Sequence, residues 1–349
     1  MVEMTVVEAS PEVTGGVDTH LDSHVAAALD AIGGLLGVES FPATPAGYRS
    51  LVAWMGGFGP VARVGVEGTG SYGAGLARFL RRAGVVVIEV DRANRQARRA
   101  LGKSDPADAV EAARAAQGGR ARAVAKSRDG TAEAIRAVMV ARRSASEMRT
   151  KTIVQIRHLC VTGPDELRTR TKGLSPKAVA EAAACLRPRL GVDVVAFSTK
   201  VALRALGRRV AALDQELVGL DALLGELVVD YAPALLALPG VGVQTAAALL
   251  AAAGDNPERL RSEPAWAHLC GVAPIEASSG RVTRHRLDRG GNRHANQALW
   301  HIVMTRMTFD PATKAYVARR TAEGRSKREI IRVLKRYVAR QVYPQLPRS

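Results

Sequence analysis

Asp18, Glu67, Asp105 and Asp108 are the residues whose types and spacing are best suited to chemistry. Asp18 ends the first strand in GVDTH, Glu67 ends the fourth in GVEGTGSYG, and Asp105 and Asp108 stand three apart in KSDPADA, on one face of a helix. Two divalent cations about 4 Å apart can clamp the attacking and leaving oxygens of an in-line phosphoryl displacement, and they need several hard oxygen ligands converging at strand ends. Taken singly, Glu67 reads equally as a helix-capping acid and Asp108 as a surface residue. Asp18 is harder to dismiss, because a carboxylate at the end of an apolar strand is costly to bury without a partner. Four such acids in this order point to metal-dependent phosphoryl transfer.

A second candidate lies in CGVAPIEASSGRVTRHRLDRGGNRHANQALW. Ser278 and Ser279 precede Gly280, within reach of Arg281, Arg284, Arg286, Arg289 and Arg293. A serine hydroxyl is a weak nucleophile unless a base or metal activates it and cations take the developing charge. The pair therefore reads three ways: a nucleophile, a phosphate-binding turn, or an ordinary Ser-Gly turn. His285 and His294 show no metal-ligand spacing. Upstream, LPGVGVQTAAALLAAAG matches a helix-hairpin-helix, whose Gly-Val-Gly turn either brings backbone N–H groups to a DNA phosphate or serves as plain packing. GVEGTGSYGAG also resembles the phosphate turn of an actin-like sugar kinase, but no Walker-type GKS/T and no second matching half accompany it.

The elements that position these residues follow from periodicity. Residues 13–40 read as three strands, Thr44-Pro45 opens a helix, and VARVGVEG is a fourth strand. TGSYGAGLARFLRRAG is an amphipathic helix closed by Gly84, VVVIEVD a buried strand, and DPADAVEAARAA a helix. Three strands before the first helix is the RNase H-like order, whereas a plain Rossmann fold alternates from the start. Residues 129–160 and 198–230 are Gly-poor helical patterns suited to an antiparallel hairpin or coiled coil, with a connector over 161–197 holding one helix. The expected architecture is an α/β RNase H-like (RuvC-like) catalytic domain at 13–128, a helical, coiled-coil middle at 129–230, and a mainly α domain at 231–349 with the helix-hairpin-helix, the serine motif and a basic tail.

The 349 residues carry a formal net charge of +17, which points to a polyanionic partner. The excess is concentrated. Residues 281–349 hold 17 basic and 4 acidic residues, and residues 78–128 hold 13 and 5, including Arg92, Arg95, Arg98, Arg99 and Lys103. Two basic patches suggest two surfaces that meet phosphates. Three widely spaced cysteines exclude a disulfide scaffold. The acidic N-terminus lacks signal-peptide features, and Pro239, Gly240 and Gly242 interrupt the most apolar stretch. A cytoplasmic, soluble protein that associates with the nucleoid when bound to DNA, without a membrane partner, is expected.

GVDTH, GVEGTGSYG, KSDPADA, LPGVG-QTAAALL and CGVAPIEASSG…HRLDRGGNRHAN, in this order, resemble the DEDD-type transposases of the insertion-sequence one-ten family, also called bridge recombinases. The resemblance runs from about residue 13 to 340. It implies a RuvC-like domain whose Asp18, Glu67, Asp105 and Asp108 bind two Mg2+ ions, with Mn2+ able to substitute. It also implies an essential serine directly before the SG glycine, Ser279 here, although a one-residue shift would make it Ser278. Metals held by the acids would activate this serine for a covalent phosphoserine–DNA intermediate and strand exchange between donor and target DNA. Dimers that pair into tetramers, and a structured noncoding RNA that reads the sites by base pairing while protein holds backbones, are further implications. Two readings compete: a RuvC-like nuclease or Holliday junction resolvase using metal-activated water, and a catalytically dead nucleic-acid-binding descendant. The presence of all four acids and the serine argues against the latter.

Overall fold

A computed structural model describes residues 12–90 and 104–347, apart from positions 190, 192 and 283. They form two compact units, one of the described residues up to Gly130 with Gly254–Arg261, the other of Thr131–Ala253 with Ser262–Pro347.

The first unit runs β1 (Val13–Thr19), β2 (Ser23–Leu29), β3 (Leu35–Pro42), α1 (Pro45–Gly56), β4 (Val61–Glu67), α2 (Ala74–Arg82), β5 (Val86–Val90), α3 (Asp105–Gln117) and β6 (Ala123–Val124). The strands form one mixed sheet ordered β3-β2-β1-β4-β5-β6, with β1, β4 and β5 parallel and the other pairs antiparallel. This is the strand succession expected from the sequence, with a two-residue edge strand added, and it is consistent with an RNase H-like DEDD domain. Every residue of β1 is buried because helices cover both faces of the central strands. On one face, Leu51, Met55, Leu76 and Leu80 of α1 and α2 pack on Val64 and Val66. Thr44 caps α1 by accepting from the Gly47 amide, and Pro45 occupies its first turn.

The other face meets α3 at backbone distance. A Cβ on Gly16 would stand 2.2 Å from both the Ala109 carbonyl oxygen and the Ala113 nitrogen, and one on Gly65 2.4 Å from the Ala112 carbonyl oxygen. Gly16 pairs with Gly65 across β1 and β4. Two side-chain-free positions thus make the slot into which the alanine face of α3 fits, and this fixes where the helix begins.

The second unit contains α4 (Thr131–Thr162), α5 (Asp165–Thr171), α6 (Pro176–Ala184), α7 (Val194–Tyr231), α8 (Pro233–Leu236), α9 (Val243–Ala253), α10 (Glu263–Leu269), β7 (Pro274–Glu276), β8 (His285–Leu287), α11 (Arg293–Phe309), α12 (Pro311–Ala322) and α13 (Lys327–Val342). Helices α4 and α7 lie antiparallel, as the ion pairs Arg142–Asp221 and Arg149–Asp214 require. Seven residues up one helix correspond to seven down the other. Ile153, Ile156 and Cys160 share a core with Leu203 and Val210. The described residues of the connector over 161–197 hold two helices rather than the one expected. Pro164 and Pro176 each stand at a helix start instead of merely interrupting, and Ser175 caps α6 by accepting from the Ala178 amide. Buried Arg306 of α11 donates to the Pro239 carbonyl at 2.7 Å and to Gln341 at 2.6 Å, tying the Gly-Val-Gly turn and α13 to one helix. Among the described residues, no helix is long and apolar enough to cross a membrane.

Candidate active site

Parallel β1 and β4 end at the same edge of the sheet. Val17 pairs with Val66, so Asp18 and Glu67 follow side by side. Gly16 and Gly65 face α3, and side chains alternate along a strand, so Asp18 and Glu67 two positions on face the same side. There α3 begins, with Asp105 as its first residue and Asp108 one turn in. Acids in a first helical turn also sit favourably against the helix dipole. The fold therefore brings the four sequence-predicted acids to one end of the sheet. Asp18 and Asp108 are buried, at 8% and 5% exposure. Burial pushes the Asp18 carboxyl above its usual range; His20 opposes that shift, and the charges of Asp108 and Asp105 add to it.

One residue in this site was not singled out in the sequence. His20 follows Asp18 by two, the spacing that keeps it on the same strand face, and its Nε2 lies 3.2 Å from an Asp18 oxygen and 3.3 Å from an Asp105 oxygen. The three ligand atoms lie within 4.8 Å of one another. Glu67 and Asp108 stand at the same end of the sheet, outside this closest cluster, and the Thr19 hydroxyl holds the Glu67 main-chain carbonyl at 2.8 Å. Buried Asp18 and part-exposed Asp105, with an imidazole nitrogen turned towards both, form a donor set that fits a divalent cation.

The serines occupy the tip of a hairpin. β7 and β8 pair antiparallel, and Ser279 exchanges backbone hydrogen bonds with Val282 at 3.2 and 3.1 Å across the Gly280-Arg281 turn. Gly280 has φ +57°, the left-handed conformation that a two-residue hairpin turn demands. The tandem hydroxyls differ. Ser278 Oγ accepts from the Arg284 amide at 3.2 Å, whereas the exposed Ser279 hydroxyl has no hydrogen-bond partner among the described residues.

Arg281, Arg284, Arg286, Arg289 and Arg293 are all exposed. Arg286 lines a groove of about 480 Å³ with Arg332, Arg336 and Arg340, and Arg289 and Arg293 line another beside Trp300. The candidates Arg92, Arg95, Arg98, Arg99 and Lys103 lie outside the described residues. A third groove, about 720 Å³, runs between the Gly240–Gly242 turn, Arg143 and the α11 stripe of His294, His301 and Thr305. His294 titrates below the usual histidine value because of partial burial and the nearby Arg143 charge.

A DEDD-type IS110 transposase family model matches residues 15–162, and a model of the transposase IS116/IS110/IS902 family matches residues 232–318. The chain belongs to the IS110 family of transposases. Both matches fall on the sites described above: the first spans the acids and His20, and the second the Gly-Val-Gly turn and the serine hairpin. Among curated IS110-type relatives, the chain is similar to the insertion element IS110 uncharacterized 43.6 kDa protein of Streptomyces coelicolor, 33% identical over 36% of this chain and 32% of that one. It is also similar to the insertion element IS900 uncharacterized 42 kDa protein of Mycobacterium paratuberculosis, 29% identical over 38% of this chain and 34% of that one. The chain thus spans about a third of the length of these relatives in the matched segments.

Proposed function

We propose that the protein is a DNA transposase that mobilises its own insertion sequence by site-specific recombination, with Ser279 as nucleophile and Asp18, Glu67, Asp105 and Asp108 as the ligands of two Mg2+ ions, replaceable by Mn2+. The observation that carries this reading is the convergence of Asp18 and Glu67, from neighbouring parallel strands, with the acids that open α3. Divalent cations bound there would supply Lewis-acid stabilisation of the attacking and leaving oxygens. Ser279 Oγ forms a bond to phosphorus as one deoxyribose oxygen leaves; the serine proton passes to solvent, and the leaving oxygen takes up a proton. Ser279 is favoured over Ser278 because its hydroxyl is not engaged, whereas that of Ser278 holds the Arg284 backbone. Arg281, Arg284, Arg286, Arg289 and Arg293 hold DNA backbones, and Arg92, Arg95, Arg98, Arg99 and Lys103 form a second phosphate surface.

The finer organisation belongs to the same proposal. Residues 13–128 act as the catalytic module and residues 231–349 as the serine-bearing module, joined by residues 129–230. In this joining region α4 and α7 serve as a coiled coil through which copies assemble as dimers and tetramers. The Gly240–Gly242 turn works as a helix-hairpin-helix on DNA phosphates, and a structured noncoding RNA reads donor and target sites by pairing. The protein works in the cytoplasm, on the nucleoid.

The test is to incubate the protein with Mg2+ and DNA carrying the ends of its element, then separate the products under denaturing conditions. A protein–DNA adduct that disappears in Ser279→Ala and persists in Ser278→Ala is the expected result. Cleavage without an adduct, unchanged in Ser279→Ala, would show water to be the nucleophile and overturn the serine assignment.

A further inference from the structure

His20 Nε2 is buried, yet it makes no well-aligned hydrogen bond. It faces two carboxylate oxygens from different elements, Asp18 at the end of β1 and Asp105 at the start of α3, at 3.2 and 3.3 Å. A proton shared between the two acceptors makes only a bent three-centre bond, weaker than a linear one, and an unprotonated imidazole nitrogen turned towards two carboxylates is repelled by them, so a cation held by all three groups satisfies the arrangement better. The separations suit that cation. Two ligands held about 2.1–2.2 Å from one metal ion stand about 3.0 Å apart at right angles and about 3.5 Å apart at the tetrahedral angle, which brackets both distances.

We propose that His20 is a direct ligand of a divalent cation shared with Asp18 and Asp105, making a mixed nitrogen–oxygen position that takes Mn2+ in preference to Mg2+. This rests on the metal-dependent reading above and adds to it a ligand and a selectivity. Mg2+ favours an all-oxygen shell and gives up water reluctantly, whereas imidazole suits the transition metals. The His20 side chain is 42% exposed although its Nε2 is not, so the solvent-facing part of the ring lies away from the nitrogen that meets the carboxylates. His24 provides the contrast. Its ring nitrogens are likewise buried without partners, but its ring stacks on Tyr48 of α1, 5.6 Å between centroids, on the opposite face of the sheet from α3.

The experiment uses the full chain freed of nucleic acid and stripped with a chelator, then loaded with Mn2+ alone or Mg2+ alone. Pulsed electron paramagnetic resonance of the Mn2+ protein should show coupling to an imidazole nitrogen. That coupling should vanish in His20→Ala and persist in His24→Phe. Calorimetry should show Mn2+ affinity falling at least about tenfold in His20→Ala, with Mg2+ affinity changing less than about threefold. Mn2+ bound by the wild-type chain with no nitrogen coupling, or coupling that survives His20→Ala, overturns the assignment; the wild-type spectrum decides this even if the variant misfolds. Asp18→Asn tests the underlying reading separately, because it should abolish tight Mn2+ binding altogether. A wild-type chain that binds no Mn2+ overturns both.

Discussion

Placing an alanine at position 16 tests whether the glycine slot sets the site. The new Cβ would stand 2.2 Å from two backbone atoms of α3, the Ala109 oxygen and the Ala113 nitrogen. Ordinary heavy-atom contact begins more than an ångström further out, so α3 must withdraw by about 1 Å. Neither atom belongs to a side chain that can rotate away, which places the cost at the upper end of the roughly 1–3 kcal/mol typical of overpacking. Metal-ligand distances tolerate only about 0.2 Å. A shift of that size therefore carries Asp105 and Asp108 out of coordination range of a cation held by Asp18, even in molecules that remain folded. Urea unfolding and Mn2+ calorimetry on Gly16→Ala should show both losses together. Gly219→Ala is the comparison: it lies within α7 with nothing within 4 Å of the added carbon, and should stabilise by about 0.5–1 kcal/mol. Gly16→Ala within 0.5 kcal/mol of wild type (roughly the range of neutral substitutions), with unchanged metal affinity, would refute the argument that backbone contact positions α3.

Three further outcomes are expected. Affinity for DNA should fall about a thousandfold or more between about 50 and 200 mM salt if six or more phosphates are contacted, and a flat dependence would remove the role given to residues 281–349. Burial holds the His24 pKa below its ordinary value, so the unfolded chain binds the extra proton first. The stability this contributes is complete above about pH 6.5, the unfolded value, and is lost as pH falls towards the lower folded value. Urea midpoints at pH 7.5 and 5.5 should therefore differ more for wild type than for His24→Phe. Arg149 and Asp214 are part-exposed, so a double-mutant cycle on their ion pair should give a coupling of at most about 1 kcal/mol, and several times that would mean the pair is better shielded than its exposure indicates.

The convergence of the four acids was legible in the sequence because each lies at the end of a strand or in the first turn of a helix. Strand runs that end in a carboxylate, and a helix that starts with one, declare their convergence once the β-β-β-α order is read. His20 also lay in view, two residues past Asp18, but its meaning depends on where α3 begins, and that depends on Gly16 and Gly65, 49 residues apart in the chain, opposing each other across two strands. No local pattern encodes that pairing. The ambiguity between Ser278 and Ser279 had the same origin: only the hairpin register, with Ser279 opposite Val282, separates an engaged hydroxyl from an open one. In the connector, Pro164 and Pro176 stand at helix starts, where proline is at home, and the described residues hold two helices where one was expected.

The seven-residue step shared by Arg142–Asp221 and Arg149–Asp214 constrains how this protein can change in length. One residue inserted between the two arginines turns the second by about 100° around α4 and away from its partner. A matching insertion in α7 restores the facing surfaces only when both additions complete whole turns of the seven-residue repeat. Lineages in which this helical pair has grown or shrunk should therefore differ by paired multiples of seven, one block in each helix, while the loops between elements vary residue by residue.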